Sequence, residues 1–330
     1  MAVIGVIGAG ISGLTAATML VKHGLDVRIF EKSWRAGGRT CSRRIRPDFI
    51  FDHGAQYFTV SDPAFAFQVE QWAQNGIIAE WKGRVVKFEN GEIQPTSPKS
   101  RFVGVPKMES MAEELSKELN ISYETKIVHA AKNGKSWTIT DEIGETFGPF
   151  DFLICTLPAP QARDLFQTEE HKVLEVPMVP CWSVFVAFQS KLEVSFDGAF
   201  VNGKILSWVA RNSSKPGRDS KFDGWVLHGT PEWSSANFEI DAEIVEKEFL
   251  QSFEQLTGRG LPEIVCKGSH RWKYSMANSD GQDGQFHIKN QNLVFGGDWL
   301  HGGKVEGAFL SGRQAAFAVL NAFGLPLASC

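Results

Sequence analysis

Three glycines near the N-terminus have the spacing of a phosphate-binding turn. In this GxGxxG pattern, Gly8 makes the tight turn, Gly10 lets the backbone approach a pyrophosphate, and Gly13 allows close helix packing. Ile11 and Ser12 would open a helix whose unpaired N–H groups and partial positive charge favour a phosphate. The pattern predicts dinucleotide binding and leaves open whether the dinucleotide is FAD or NAD.

The residues around this turn predict the strand–helix–strand unit that has to position it. Val3 to Ile7 is a short apolar run typical of a buried parallel strand, and Ile11 to His23 has helical periodicity. Val27 to Glu31 is predicted to be the next strand. Its last residue, Glu31, has a carboxylate that can accept hydrogen bonds from both ribose hydroxyls.

A second glycine pair follows this unit, in the order Glu31, Lys32 and then Gly37, Gly38 and Arg39. A GxGxxG turn, an acidic strand end and a downstream GGR resemble the GR2 flavoproteins, which include amine oxidases, protoporphyrinogen oxidases, phytoene desaturases and renalases. The resemblance implies that the glycine pair lies against the pyrophosphate of FAD. It also implies cofactor contacts for Lys32, Gly38 and Arg39, and an arginine offers charged donors to phosphate.

Residues 51–58 (FDHGAQYF) resemble the segment of this family that runs beside the flavin. The resemblance implies FAD contacts for Gln56 and Tyr57. The alternatives are a turn role for Asp52 and plain packing for Gln56 and Tyr57. Val128 matches the position that usually meets the adenine through its backbone in this family.

The C-terminal region resembles the second flavin motif of the same family. Residues 296–299 (GGDW) imply that Asp298 meets the ribityl and phosphate part of FAD, and we expect a backbone amide or a ribityl hydroxyl as its partner. Val305 and Glu306 begin the last predicted helix, whose N-terminus would stabilise negative charge at the pyrimidine end of the flavin. Because no cysteine lies in this motif, we expect FAD to be bound non-covalently.

The periodicities between these motifs predict a second domain. Trp182 to Phe188, Lys204 to Ala210 and Trp225 to Gly229 are predicted strands of one antiparallel sheet, and Asn90-Gly91 is a hairpin turn signal. We therefore predict an α/β fold, with a Rossmann-like FAD-binding domain of the GR2 type and a substrate domain of antiparallel sheet plus helix. The FAD-binding domain is discontinuous, at residues 1–60, 99–162 and 262–330, and the substrate domain takes residues 61–98 and 163–261.

The bulk composition excludes several classes of function. The 330 residues suffice for about two domains, and the net charge of −4 without a long apolar stretch argues against nucleic-acid or membrane partners. For the basic cluster within residues 39–46 we favour contacts to a cofactor phosphate over a polyanion patch. The cysteines fit neither a disulfide framework nor a zinc site, so we expect reduced thiols in a cytoplasmic protein without a metal. We also expect no obligate protein partner. They are Cys41, Cys155, Cys181, Cys266 and Cys330.

Segments spread over nearly the whole chain resemble the renalases within this group, especially the bacterial ones. They include residues 210–216 (ARNSSKP), 225–228 (WVLH) and 270–272 (HRW). Renalases oxidise the 2- and 6-dihydro isomers of NAD(P)H to NAD(P)+, and FAD passes the electrons to O2, which yields hydrogen peroxide. The resemblance therefore implies a dihydronicotinamide dinucleotide and O2 as the substrates.

Four residues suit that chemistry and are the catalytic candidates. Arg211 can pair with an anionic or carbonyl group of a nucleotide, and Asn212 offers amide recognition. His228 lies at the end of an apolar strand, and Trp272 gives a flat face for a pyridine ring or an adenine. Hydride transfer from a dihydropyridine mainly needs close stacking on the flavin, so no demanding acid or base is expected.

Alternatives to this interpretation remain. Arg211 can instead form an ion pair with Asp219 or Asp223, and His228 and Trp272 can be packed core residues. A flavin amine oxidase or desaturase is the second function, and it would need an aromatic cage or an apolar tunnel that the sequence does not predict. The third is a non-catalytic FAD-binding protein, which would leave the four candidates without a common purpose. The preference for NAD or NADP forms also stays open.

Overall fold

The computed structural model describes residues 2–89, 91–166, 175–277, 286–288 and 291–326, so Asn90 of the hairpin signal and Cys330 lie outside the described residues. In chain order the strands are β1 (Val3–Ile7), β2 (Asp26–Phe30), β3 (Arg43–Ile45), β4 (Phe49–Phe51), β5 (Ile78–Glu80), β6 (Val85–Glu89), β7 (Glu92–Pro95), β8 (Phe102–Gly104), β9 (Asn120–Ser122), β10 (Ile127–Asn133), β11 (Ser136–Asp141), β12 (Thr146–Phe150), β13 (Phe152–Cys155), β14 (Met178–Phe188), β15 (Gly198–Val201), β16 (Leu206–Arg211), β17 (Asp223–Gly229), β18 (Ile264–Ala277), β19 (Phe286–Ile288) and β20 (Leu293–Phe295). The helices are α1 (Ile11–Lys22), α2 (Pro63–Gln74), α3 (Ser110–Ser116), α4 (Ala159–Phe166), α5 (Pro231–Ala236), α6 (Ala242–Thr257) and α7 (Val305–Ala322).

The first sheet is built around the strand–helix–strand unit that the sequence predicts. Its six strands have the order β19-β20-β13-β1-β2-β9, and all neighbours are parallel except β19 with β20. Parallel strands are buried on both faces, which explains why β1 and β13 consist almost only of apolar residues. The glycine turn between β1 and α1 lies at the carboxyl end of a central strand, where ligands bind in such sheets.

Two layers cover this sheet. Ile4 and Val6 face helices α1 and α7, while Ile7 and Leu153 face helix α4 and the three-stranded sheet β10-β11-β12. Helices α1 and α7 pack closely, because a Cβ added at Gly312 would lie only 2.2 Å from the Ser12 carbonyl oxygen. The last helix is therefore fixed directly against the helix that follows the phosphate-binding turn.

The second large sheet has seven strands in the order β18-β14-β17-β16-β15-β6-β7, antiparallel except for the pair β15 and β6. Alternate residues of β14 face opposite layers, as in any strand. Val184 packs with helix α6 through Phe249, and Phe185 packs with the β3–β4 hairpin through Phe51. One face of this sheet is thus turned toward a segment of the nucleotide-binding part.

Strand β18 is the longest of several elements that were not predicted from the sequence. Its 14 residues mix charged and apolar side chains, because it is an edge strand, and it pairs along β14. The strand falls inside segment 262–330, which the sequence analysis assigns to the FAD-binding domain. We therefore propose to move residues 264–277 to the substrate domain and keep the other boundaries as a prediction. The predicted fold class is confirmed, with a Rossmann-like domain and a second domain of largely antiparallel sheet and helices.

Three negative findings apply to the described ranges alone. Cysteines 41, 155, 181 and 266 are free thiols. Within these ranges there is no helix with the length and apolarity that a membrane crossing requires. Nor do His, Cys, Asp and Glu side chains gather there in a group of three or more suited to a metal ion.

Candidate functional site

The phosphate-binding turn has the backbone geometry that its glycines predict. Gly8 has a φ of +102°, a conformation that favours glycine, and a Cβ added at Gly13 would lie 2.1 Å from the Gly8 carbonyl oxygen. At Gly10 an added Cβ meets no protein atom within 4 Å. At Gly38 it meets only the Gly10 Cα, at 3.7 Å. Gly10 and Gly38 therefore border open space beside the N-terminus of α1.

Backbone contacts hold the GGR segment against its neighbours. The Gly37 N–H donates to the Ala9 carbonyl oxygen at 2.8 Å, and the Ala55 N–H donates to the Arg39 carbonyl oxygen at 2.9 Å. A Cβ added at Gly54 would lie 2.1 Å from the Arg39 carbonyl oxygen. The glycine turn, the GGR segment and the start of residues 54–58 are thus assembled side by side through main-chain atoms.

The side chain of Arg39 joins this assembly to the C-terminal motif. Its guanidinium makes two hydrogen bonds to the Asp298 carboxylate, one of them 3.0 Å long, and donates to the Ser275 carbonyl oxygen at 2.9 Å. A backbone amide or a ribityl hydroxyl is the partner that we expect for Asp298; the protein partner in the structure is the Arg39 side chain, and the ribityl contact stays a prediction. A bidentate arginine both neutralises a buried carboxylate and matches its geometry, which explains the difference.

The acceptor for ribose lies next to the turn. Glu31 is buried, and its two carboxylate oxygens accept the N–H groups of Ala9 and Ser33, each at 2.9 Å. A carboxylate oxygen can accept a second hydrogen bond, so Glu31 retains acceptor sites for ribose hydroxyls. Lys32 is exposed beside it, and Val128 is exposed in strand β10. Contacts of Glu31, Lys32 and Val128 with FAD stay predictions.

Glu306 fixes the N-terminus of α7. Its carboxylate accepts the N–H and the hydroxyl of Ser61 at 2.6 and 2.7 Å and the N–H of Asp62 at 2.8 Å. Val305 beside it belongs to the hydrophobic core. Protein donors therefore engage the Glu306 side chain, and the unpaired main-chain N–H groups at this end of α7 are the donors that a ligand could use. Contacts of Val305 and Glu306 with FAD stay predictions.

A buried charge cluster adjoins residues 54–58. The Asp52 carboxylate is 1% exposed and contacts Lys215 Nζ at 3.1 Å and Arg218 Nη2 at 2.6 Å. Lys215 Nζ also donates to Gln56 Oε1 at 3.2 Å, and Asn212 Oδ1 accepts the Asp52 N–H at 3.2 Å. Burial alone would raise the pKa of Asp52, but the charges of Lys215 and Arg218 lower it, while burial lowers the pKa of Lys215 to about 8. The cluster fixes Gln56 in place.

The predicted contact residue Tyr57 lies in an aromatic group. Its ring centroid is 5.4 Å from that of Trp208 and 6.3 Å from that of Trp81. The Arg101 guanidinium lies over the Tyr57 ring at 5.4 Å. Packing of Tyr57, which the sequence analysis weighs as an alternative, is thus observed, and its contact with FAD stays a prediction.

Two of the catalytic candidates meet at one carbonyl group. His228 Nε2 lies 3.2 Å and Trp272 Nε1 3.0 Å from the His53 carbonyl oxygen. Because a carbonyl oxygen only accepts, His228 carries a proton on Nε2, and its Nδ1 has no partner within the part of the chain that is described. The rings of His53, His270 and Trp272 contact one another with centroids 4.3 to 4.9 Å apart. We call His53, His228, His270 and Trp272 the histidine wall.

Strand register explains why the histidine wall forms. Ser183 of β14 pairs with His228 of β17 on one side and with His270 of β18 on the other. Directly paired residues face the same side of a sheet, and Trp272, two residues beyond His270, faces that side as well. Strand β4 ends just before His53 and packs on this face. Residues from three distant parts of the chain therefore converge.

The three imidazoles of the histidine wall are neutral near pH 7. Burial, with the neighbouring His270 and Arg43, lowers the pKa of His53 to about 3. Burial lowers the pKa of His228 to about 4, and burial together with the Arg43 charge lowers that of His270 to about 4. The wall thus presents neutral hydrogen-bonding groups and a flat indole, close to arginine charge.

Arg211 lies in a different environment from the other candidates. Its guanidinium contacts the carboxylates of Asp223 at 3.1 Å and Asp197 at 3.3 Å, donates to the Leu192 carbonyl oxygen at 2.6 Å, and lies over Trp225 at 4.8 Å. The ion pair with Asp223, which the sequence analysis weighs as an alternative, is present. To bind a nucleotide, Arg211 would have to exchange these partners, so its catalytic role stays a prediction.

Three residues near the site have no assigned role in the sequence analysis. Lys215 stands in the segment ARNSSKP, but only the folded chain brings it to Asp52. His53 and His270 stand beside motif residues, and only the register of β14, β17 and β18 places them together. The available signal in β14 was Ser183, the one polar side chain in an otherwise apolar strand, which strand geometry puts on the face opposite Val184.

The residues at the carboxyl end of the first sheet fit FAD. Gly10 and Gly38 border open space, the start of α1 supplies unpaired N–H groups, and Glu31 supplies acceptors. The Ser12 hydroxyl is buried there and has no hydrogen-bond partner among the described residues. A dinucleotide phosphate would satisfy these donors without displacing a side chain.

Sequence comparisons agree with this interpretation. The profile of an NAD(P)-binding Rossmann-like domain matches residues 6–69, and that of the flavin containing amine oxidoreductases matches residues 91–320. Mitochondrial protoporphyrinogen oxidase of Nicotiana tabacum is 43% identical over 68 residues, which are 20% of this chain and 13% of that protein. Hydroxysqualene dehydroxylase of Sinorhizobium fredii (strain NBRC 101917 / NGR234) is 33% identical over 100 residues, which are 30% of this chain and 21% of that protein. The matched stretches thus span about a fifth or less of these two relatives.

Solved structures share the fold over nearly the whole chain. A structure from Exiguobacterium sp. 255-15 that carries the name protoporphyrinogen oxidase has a TM-score of 0.80 at 13% identity and covers 98% of this chain and 99% of its own. A triple mutant of putrescine oxidase has a TM-score of 0.77 at 14% identity and covers 97% of this chain and 100% of its own. At these identities the similarity concerns the fold alone.

Proposed function

Because the chain belongs to the flavin containing amine oxidoreductase family and is an FAD-dependent oxidoreductase, we propose that it oxidises dihydronicotinamide dinucleotides. In this proposal the substrate carries its extra hydrogen at ring carbon 2 or 6, as for renalases, and the products are NAD(P)+ and hydrogen peroxide. Bound FAD supplies the hydride acceptor and the electron path to O2. The chain itself has to bind, orient and shield the substrate.

The charge of the histidine wall is the observation that carries this proposal. Its three imidazoles are neutral near pH 7, and Arg43 adds a positive charge beside them. The nearby Asp52 carboxylate is buried and compensated by Lys215 and Arg218. A protonated amine would find no free carboxylate there within the described residues, whereas a dinucleotide brings its own negative phosphates.

The wall also has the groups that a dihydronicotinamide needs. The Trp272 indole gives a flat surface for a planar ring, and its N–H is already bound to the His53 carbonyl oxygen, which fixes its orientation. The free Nδ1 of His228 can accept a hydrogen bond from a carboxamide N–H. Because a dihydropyridine is electron-rich, these residues have to hold the ring close to the flavin and need not remove a proton.

An anaerobic stopped-flow experiment tests this function. The oxidised holoenzyme is mixed with 6-dihydro-NAD, with ordinary 4-dihydro-NADH or with a panel of amines, and loss of oxidised-flavin absorbance is recorded. We expect rapid bleaching by the 6-isomer and slow or no bleaching by the other compounds. Bleaching by an amine alone would replace the proposal with amine oxidation, which the family and the similarity to putrescine oxidase would then explain. The absence of bleaching by every dihydronicotinamide would refute the proposal.

A further inference from the structure

The β3–β4 hairpin lies on the same sheet face as the histidine wall. Phe51 stacks on Phe185 of β14, with ring centroids 5.3 Å apart. On the neighbouring strand β18, a Cβ added at Gly268 would lie 3.4 Å from Ile45 Cδ1. Since Phe185 pairs with Gly268, both hairpin strands contact the sheet at the same level.

The direction of the hairpin brings Arg43 to the level of His270. The chain runs from Phe51 at the end of β4 to His53, whose ring lies 4.8 Å from that of His270, so β4 points toward His270. In the hairpin, Arg43 pairs with Phe51 and Ile45 pairs with Phe49. On β3, Arg43 is therefore closer to the His270 end than Ile45 is. Arg43 and Ile45 are two residues apart and share one face of the hairpin. The influence of the Arg43 charge on the His270 pKa agrees with this placement.

Arg43 is a free guanidinium within a set of arginines that are mostly engaged. Arg35 and Arg44 both contact the Glu109 carboxylate, and Arg39 contacts Asp298. Arg43 is exposed and has no hydrogen bond, ion pair or ring contact with the described residues. An uncompensated arginine next to neutral, partly buried aromatic rings favours an anionic group of a bound ligand.

We propose that Arg43, together with the rings of His270 and Trp272, forms a subsite for the pyrophosphate of a nucleotide ligand at the open edge of β18. The His270 ring contacts Trp272, with centroids 4.3 Å apart, and Arg43 lies at the level of His270. In a nicotinamide dinucleotide one ribose separates the pyridine ring from the phosphate, so in this proposal a ring on Trp272 brings its phosphate to the level of His270 and Arg43. This subsite rests on the proposed function for its natural ligand, and its binding chemistry can be tested apart from turnover.

Binding of ADP to the FAD-saturated holoenzyme tests the subsite directly. The dissociation constant is measured by calorimetry for the wild type, for Arg43→Gln and for Arg46→Gln at low ionic strength. Arg46 is the matched control, since it is an exposed arginine of the same hairpin without a partner among the described residues, and its Cα is about 10 Å further along the chain. We expect Arg43→Gln to weaken ADP binding roughly fivefold to tenfold and Arg46→Gln to leave it unchanged.

A second measurement separates the phosphate contact from a general structural effect. Flavin bleaching is followed with 6-dihydro-NAD and with 1-methyl-1,6-dihydronicotinamide, which has no phosphate. Arg43→Gln should raise the half-saturating concentration of the dinucleotide by the same roughly fivefold to tenfold and leave the phosphate-free compound unaffected. The limiting rate of bleaching should not change.

The outcomes distinguish the two proposals. ADP binding that depends on Arg43, without bleaching by any dihydronicotinamide, refutes the proposed function and supports the subsite. Bleaching by 6-dihydro-NAD with equal ADP affinity in the wild type and Arg43→Gln supports the function and overturns the subsite. The subsite is also overturned if Arg43→Gln and Arg46→Gln lose ADP affinity equally, or if Arg43→Gln raises the half-saturating concentrations of both dihydronicotinamides equally. It is overturned as well if the wild type does not bind ADP.

Discussion

Replacement of Gly10 by alanine should separate cofactor binding from folding. In the protein alone, a Cβ at this position meets no atom within 4 Å, and the Gly10 backbone, with φ −78° and ψ 178°, is one that alanine adopts without strain. Gly10 is the N-cap of α1, where alanine is somewhat less favourable than glycine. We therefore expect the apoprotein to lose no more than about 1 kcal/mol of unfolding free energy.

The same methyl group enters the space beside the N-terminus of α1 where the FAD pyrophosphate would lie. Forcing an extra methyl group into a filled site typically costs about 1–3 kcal/mol, which corresponds to roughly 5-fold to 150-fold weaker FAD binding. Gly13→Ala provides the contrasting variant. Its Cβ would lie 2.1 Å from the Gly8 carbonyl oxygen and 2.9 Å from Thr156 Oγ1, so it should destabilise the apoprotein itself by about 1–3 kcal/mol or more.

Two measurements are needed for each variant. Titration of apoprotein with FAD, followed by flavin fluorescence, gives the dissociation constant, and denaturant unfolding of the apoprotein gives its stability. Gly10→Ala should change mainly the FAD dissociation constant, and Gly13→Ala should change mainly the stability of the apoprotein. The reasoning is refuted if Gly10→Ala binds FAD as tightly as the wild type, or if its apoprotein is as unstable as that of Gly13→Ala.

Three further predictions concern charged and titratable groups. Asp52→Asn leaves two buried cations uncompensated, so denaturant unfolding at pH 7 should show that the free energy of unfolding falls by about 3–5 kcal/mol. Because the folded-state pKa of Asp52 lies below its unfolded value of 3.8, the difference between wild type and variant should be full above pH 3.8 and shrink as the pH falls toward the folded-state pKa. A difference that stays constant into strong acid would contradict the assignment. The limiting rate of flavin reduction should be flat between about pH 5.5 and pH 7, since the histidine wall takes up protons only near pH 4, and an inflection at neutral pH would show that one of its imidazoles titrates there. Arg211→Gln should lower thermal stability, because two carboxylates lose their partner, and should leave the half-saturating substrate concentration unchanged. A higher half-saturating concentration with unaltered thermal stability would instead support the nucleotide contact predicted from the sequence.

The parts of the fold that depend on local patterns could be predicted from the sequence. The glycine turn, α1 and the flanking strands follow from spacing and periodicity within about thirty residues, which is the range where such signals are strong. Strand β18 carries a local signal as well, because polar residues such as Lys267, Arg271 and Lys273 alternate with the residues between them. What the alternation does not reveal is that this strand pairs along β14 at the edge of the second sheet.

The candidate site can be predicted from the sequence only in part, because its key contacts join distant segments. The chemistry of His228 and Trp272 makes them candidates, but nothing in the sequence indicates that both reach the His53 carbonyl oxygen. That meeting depends on the register of β14 with two partners, and a shift by one residue would turn every side chain to the other face. Arg211 has equally suitable chemistry, but its strand ends beside Asp223 and Asp197, which engage it.

The contacts among the glycine turn, the GGR segment and the C-terminal motif also indicate how the chain itself holds the predicted FAD site together. Main-chain hydrogen bonds join the glycine turn to the GGR segment and the GGR segment to residue 55, and the Arg39–Asp298 pair joins them to the C-terminal motif. All of these contacts join atoms of the chain itself, so they fix the three motifs relative to one another. Arg39 uses three of its five N–H groups in these contacts, which leaves two for a phosphate without breaking the pair with Asp298. Because Asp298 already neutralises its charge, we propose that Arg39 contributes to FAD binding mainly by holding the two motifs together. In this proposal the N–H groups of α1 and the free space at Gly10 form the phosphate site itself.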